Sequence, residues 1–167
     1  LALAALQRNC DDLLPATTDL LTGPDDPMDK IAAYLTRPRP ALKGCKVGRM
    51  TQDPLVATDP GLLAPVADAF ATVHHHLTVV LREAAERGEL STAVDPERLA
   101  YLLSATIQGG YVLAIAAQDP RPYDDACAGA LELLRASAPP AQRHDEPIST
   151  TNIPAAASAS AASERND

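Results

Sequence analysis

Residues 95–137 read DPERLAYLLSATIQGGYVLAIAAQDPRPYDDACAGALELLRAS. The stretch decides the fold, because it spells two helices joined by a very short connection. Asp95 is a candidate N-cap, and Pro96 suits the first helical position because it has no N–H to lose. Leu99, Leu102, Leu103, Ile107, Gly110, Leu113, Ala114 and Ala117 recur at spacings of three and four, a wide apolar stripe on one helix. Asp119-Pro120 repeats the start signal, and Tyr123, Cys127, Ala130, Leu131 and Leu134 form a second stripe. The pair is expected near 96–117 and 120–137. A hairpin this apolar and this rich in Ala and Gly packs closely against another helix pair, and the expected partner is a second copy of the chain. The residues expected to face that copy are Leu99, Leu103, Ile107, Gly110, Ala114, Tyr123, Cys127, Leu131 and Leu134.

The rest of the chain agrees with an all-α fold. Ala and Leu dominate, and long alternating β-branched runs are absent. With no Trp and one Phe, Phe70, the core must be aliphatic. Leu3, Leu6, Cys10 and Leu13 share one face of an opening helix that starts in mid-pattern at Leu1, which implies a preceding segment in a longer parent chain. Pro15 is expected either to kink that helix, which runs to about residue 22, or to end it with a restart toward Leu20-Leu21. A second helix runs over 27–37, stopped by Arg37-Pro38-Arg39-Pro40. A third, irregular one covers 41–52, where Gly44 and Gly48 leave room for a backbone or a ligand to come close. Asp53-Pro54 and Asp59-Pro60 bracket a short connection before the longest helix, 61–87. Its stripe is Leu63, Val66, Phe70, Val73, Leu77, Val80, Leu81 and Ala84, and Gly88 closes it. Helices near 1–22, 27–37, 41–52, 61–87, 96–117 and 120–137 make one domain over 1–137, an antiparallel bundle of about six helices. Residues 138–167, rich in Ala, Ser and Pro, have too little apolar surface to offset ordering entropy and are expected to be disordered.

Composition excludes several functions. The net charge is −8, unfavourable for neutralising phosphates, so these residues are poor DNA binders on charge alone. Cys10, Cys45 and Cys127 lack metal-type spacing and are expected to be reduced core thiols in a cytoplasmic protein. No apolar run is expected to reach membrane-spanning length, and the N-terminus lacks a signal peptide's basic start. His74-His75-His76 cannot converge on one metal, since consecutive helical residues diverge by about 100°. The expected arrangement is one partly buried His with two solvated ones, the alternative being a hydrogen bond from His74 to a bound molecule. Gly44-Cys45-Lys46-Val47-Gly48-Arg49 lacks the ending of a phosphate loop. Asp11-Asp12 and Asp124-Asp125 suit a solvated face. No catalytic constellation, metal site or cofactor is expected. Gly109-Gly110 costs roughly 1 kcal/mol per glycine in a helix. The favoured reason is close helix approach at an interface; the second is space for a ligand beside Gln108 and Tyr111.

The order of these elements resembles a known family. Gly44-Cys45-Lys46-Val47-Gly48-Arg49 leads into Thr51-Gln52-Asp53-Pro54, then the Leu63–Arg87 helix, Gly88-Glu89-Leu90, Asp95-Pro96 and Gln108-Gly109-Gly110-Tyr111. Over residues 1–137 this is similar to the C-terminal regulatory domain of TetR/AcrR-family transcriptional repressors. The resemblance implies a homodimer whose last two helices form a four-helix bundle with their mates. It implies a pocket for a small hydrophobic effector, lined by Tyr34, Cys45, Met50, Phe70, His74, Thr106 and Tyr111. It also implies DNA binding only through an N-terminal helix-turn-helix domain that is absent from these residues. The alternative is a helical small-molecule-binding or protein-interaction module with no DNA role.

Overall fold

Aspartate–proline pairs begin four of the helices. The computed structural model describes residues 2–138, and within them it contains seven α-helices and one 3-10 turn, with no strand. They are α1 (Ala2–Thr22), α2 (Pro27–Thr36), the 3-10 turn Ala41–Lys43, α3 (Lys46–Met50), α4 (Pro54–Thr58), α5 (Pro60–Glu86), α6 (Pro96–Ala117) and α7 (Arg121–Ala136). Leu55 N–H donates to the Asp53 carboxylate at 2.9 Å, Gly61 N–H to Asp59 at 2.8 Å, and Glu97 N–H to Asp95 at 2.9 Å. Each satisfies a backbone donor that helix geometry leaves free. Asp26 precedes Pro27 without capping; its carboxylate instead accepts from Arg87 at 2.7 Å. At the other end of α5, Gly88 takes φ +74°, Gly88 N–H bonds Ala85 O, and Glu89 N–H bonds Ala84 O. That pairing satisfies the last carbonyls, and it needs a left-handed residue.

α1 continues past Pro15 to Thr22, so the helix does not end and restart there. Three other sequence expectations change in detail. The irregular stretch 41–52 divides into the 3-10 turn and α3, and the connection between the two Asp-Pro pairs is itself the short helix α4. α6 is an exception to the expected lack of a long apolar run: by length and composition alone it could cross a membrane. In the fold it packs against both α5 and α7. The expected tail lies, from residue 139 onward, outside the described residues.

α5 is the axis of the bundle and packs on α1, α2, α4, α6 and α3. One apolar cluster joins Ile31, Leu35, Leu77, Leu81, Leu90, Ala100 and Leu103, all essentially sealed from solvent. A smaller one holds Leu6, Cys10, Val47, Val56, Val66 and Ala69 around the first half of α5. Cys45 and Leu14 touch both.

The nine hairpin residues expected to face a second copy, Leu99, Leu103, Ile107, Gly110, Ala114, Tyr123, Cys127, Leu131 and Leu134, are all buried within the single chain, and Leu99, Leu103, Gly110 and Leu134 among them also line the groove between α6 and α7. Gly110 gives the reason. A Cβ there would lie 3.0 Å from Tyr123 Cδ2 and 3.3 Å from Tyr123 Cα, so this glycine serves the contact of α6 with α7 in one chain. The open side of the hairpin carries Leu102, Leu113 and Leu133, which are 56%, 55% and 72% exposed.

A cavity against one side of α6 and a groove along another

Residues 41–52 are pressed onto α6 at two glycines. Gly44 has φ +70°, a conformation that only glycine adopts cheaply, and a Cβ there would come within 3.1 Å of Ile115 Cδ1. At Gly48 a Cβ would collide with the Gln108 carboxamide oxygen. Cys45 begins α3 and its Sγ accepts from Gly48 N–H at 3.2 Å, so this thiol is engaged in the local fold.

The two segments do not close completely. Between them lies a cavity of about 1060 Å³, walled by Leu42, Gly44, Cys45 and Gly48 on one side. Gln108, Tyr111, Val112, Ile115 and Ala116 of α6 form the other wall, and Phe70 of α5 closes one end. Lys43, Lys46, Arg49, Thr51 and Gln52 stand around it. The lining contains no His, Asp or Glu. The arrangement therefore offers apolar surface, two amides and several cations.

Behind Tyr111 the wall is stiff. Its ring lies 4.8 Å from that of Tyr123, whose hydroxyl accepts from Arg39 at 2.8 Å. Arg39 also donates to Tyr34 O at 2.6 Å and stands 5.2 Å from the Tyr34 ring centre. Arg37 lies over the same ring and donates to Thr17 at 2.8 Å. Burial pushes the phenols of Tyr34 and Tyr111 up, and that of Tyr123 far above the ordinary range, against the opposing pull of Arg39. All three are neutral hydroxyls at physiological pH.

The seven residues expected around a ligand are scattered by the fold. Cys45, Phe70 and Tyr111 line this cavity. Met50 lines a neighbouring one of about 410 Å³ with Leu6, Val56 and Leu62, which shares Lys46 and Arg49 with the first. Tyr34 is buried in the main core under the two arginines. His74 stacks on Tyr101 with ring centres 3.8 Å apart, its Nδ1 buried without a partner. Thr106 opens onto another side of α6 altogether. Gln108 belongs to the cavity, as do Val112 and Ile115. Their signal in the sequence is the spacing 108, 111, 112, 115, a second helical stripe beside the first.

The other side of α6 forms an open groove with α7. Its volume is about 500 Å³, and Leu102, Thr106, Gly109, Leu113, Gly129 and Leu133 are among its walls. Nothing lies within 4 Å of where a Cβ would stand on Gly109 or Gly129, so the backbone itself is accessible there. Asp125 is the one charged residue of the lining. Among the described residues, no group of three His, Cys, Asp or Glu side chains is placed to hold a metal ion.

Residues 27–130 match the family model described as "Tetracyclin repressor-like, C-terminal domain". No curated protein sequence matches significantly. Among solved structures, a TetR transcriptional regulator from Chloroflexus aurantiacus J-10-FL superposes with a TM-score of 0.68 at 24% identity, covering 78% of this chain and 69% of that one. The reduced form of Escherichia coli NemR superposes with a TM-score of 0.67 at 20% identity, covering 82% and 73%. At those identities the likeness is one of fold, and it agrees with the family match, which spans more than half of the sequence. With all-α architecture, element order and family model in accord, the chain belongs to the tetracycline-repressor-like C-terminal domains of transcription regulators.

Proposed function

We propose that this chain is the ligand-sensing and dimerisation part of a TetR-like transcriptional repressor, acting on DNA through the reading head of its full-length parent. The effector is a small molecule with a largely apolar body, held in the cavity between residues 41–52, Phe70 and α6. Two copies join through the α6–α7 groove into a four-helix bundle. One observation carries the reading: α6 supplies a wall to both places. Gln108, Tyr111, Val112 and Ile115 face the cavity, while Leu102, Thr106, Gly109 and Leu113 face the groove. An effector that favours one position of α6 against residues 41–52 thereby favours one geometry of the paired helices. That shifts the population of dimer arrangements and the spacing of two DNA-reading heads.

Two measurements test it. Sedimentation equilibrium at micromolar concentration is expected to give a dimer. A thermal-shift screen of small apolar compounds is expected to raise the melting temperature, since a ligand of the native state alone stabilises it. A monomer that no compound stabilises would instead favour a helical protein-interaction module with no DNA role.

A further inference from the structure

We infer that the molecule bound in the cavity is an amphipathic organic anion, its acidic head at Arg49 and Lys43 and its apolar body against Phe70 and Val112. The inference rests on reading the cavity as the effector site and adds the chemical class of the effector.

The charge distribution points to it. The chain has 22 acidic against 14 basic residues, yet the cavity lining holds three cations and no carboxylate. Arg49 and Lys43 form no ion pair with a carboxylate among the described residues. Arg49 donates only a long 3.4 Å bond to Lys43 O. Lys46 is shared with Asp12 at 3.8 Å, near the rim. Elsewhere on the surface Arg82, Arg87, Arg98 and Arg121 are each paired with an acid, whereas Arg8 and Arg135 stand alone among the described residues of the surface; what sets this lining apart is that three cations gather at one cavity with no carboxylate among them. A guanidinium with open nitrogens matches a carboxylate in two parallel bonds. The walls beyond the rim are mostly apolar, and the cavity slightly exceeds the roughly 300–1,000 Å³ that small-molecule sites occupy, so an apolar body has ample room.

Calorimetric titration of the chain with decanoate, decan-1-ol and decylammonium separates charge from length. Decanoate is expected to bind about ten-fold more tightly than decan-1-ol, and decylammonium least. Raising the salt concentration, or Arg49→Gln, should weaken decanoate about five-fold and leave decan-1-ol unchanged. Arg49 is exposed, so the fold should survive the change. Val112→Trp, at a position 58% exposed on the cavity wall, should block all three. Equal or tighter binding of decan-1-ol or decylammonium overturns the anionic class. So does indifference of decanoate to Arg49→Gln, or its persistence in Val112→Trp. If neutral compounds bind at least as tightly as decanoate and are lost in Val112→Trp, the effector cavity stands and only the anion falls. If neither these probes nor a broad neutral library binds, the effector reading fails and this inference with it.

Discussion

Along α6, Leu102, Thr106, Gly109 and Leu113 open onto a groove whose lining has Asp125 as its single charge, whereas Gln108, Tyr111, Val112 and Ile115 border a cavity ringed by Lys43, Lys46 and Arg49. The groove is shallow in chemistry and suits another apolar helix pair, because burying such surface is favourable without directional bonds. The cavity has two amides, a tyrosine and several cations, the few polar points that orient a small molecule. Gly109 and Gly110 show the same contrast at one residue's distance. A side chain on Gly110 meets Tyr123 at once, and a side chain on Gly109 meets nothing of its own chain.

The strongest way to break the contrast is to charge the groove. Leu113→Glu with Leu133→Glu places two carboxylates on side chains that are already exposed in one copy. The dimer is expected to weaken by at least roughly 100-fold in sedimentation, about 3 kcal/mol, with helical circular dichroism preserved. An unchanged dimer would remove the groove as the subunit contact. Next in size, Gly110→Leu should lower unfolding stability by about 1–3 kcal/mol, because Tyr123 backbone and ring both stand in the way. Gly109→Ala, by contrast, should leave the single chain as stable or raise it by roughly 0.5–1 kcal/mol. Equal effects at the two glycines in urea titrations would contradict the assignment of inner and outer faces.

A smaller effect concerns pH. The Tyr123 phenol has a folded-state pKa raised by burial above its unfolded value near 10. Its contribution is therefore fully present below about pH 10 and is lost as pH rises toward the folded value, by at most about 1.4 kcal/mol per unit. The urea midpoint of the wild-type chain should fall above pH 10, and Tyr123→Phe should show a shallower decline. A variant that declines as steeply would place the alkaline loss in other groups. Smallest in stability is Gly48→Ala, expected below about 1 kcal/mol, because the obstacle is the flexible end of Gln108. Its signature is in binding: the displaced carboxamide enters the cavity and changes which compounds raise the melting temperature.

Much of the fold was legible because its determinants are local. Asp95-Pro96 and the alternation after it fix α6 at Pro96–Ala117, and Gly88 ends α5 as its conformational freedom suggests. The inward side of α6 was harder to read. Leu, Ile, Val and Ala occupy almost every face of that helix, so periodicity finds a stripe without saying whether this chain or another covers it. Long-range packing decided the matter in favour of α5 and α7, leaving Leu102, Leu113 and Leu133 outside. The cavity was legible only in part. Gly44 and Gly48 signalled a close approach, but its target, Ile115 and Gln108, lies roughly sixty to seventy residues away in sequence. The helices of residues 46–50 and 54–58 are too short to carry a periodic signal, and Met50 turned toward the smaller cavity accordingly.

Arg37 and Arg39 stand two residues apart, yet one bonds Thr17 in α1 and the other bonds Tyr123 in α7. The short proline-rich segment between α2 and the 3-10 turn thus works as a clasp on both the first and the last described helices. The bond from Arg39 to Tyr123 joins groups 84 residues apart. Closing so long a loop is entropically costly before other structure exists, whereas α6 and α7 meet through a connection of a few residues. The clasp should accordingly close late in folding and open early in unfolding. Partial unfolding would then release α1 and α2 while the α6–α7 hairpin stays formed, so that a briefly opened chain keeps the arm through which the proposed dimer would be held.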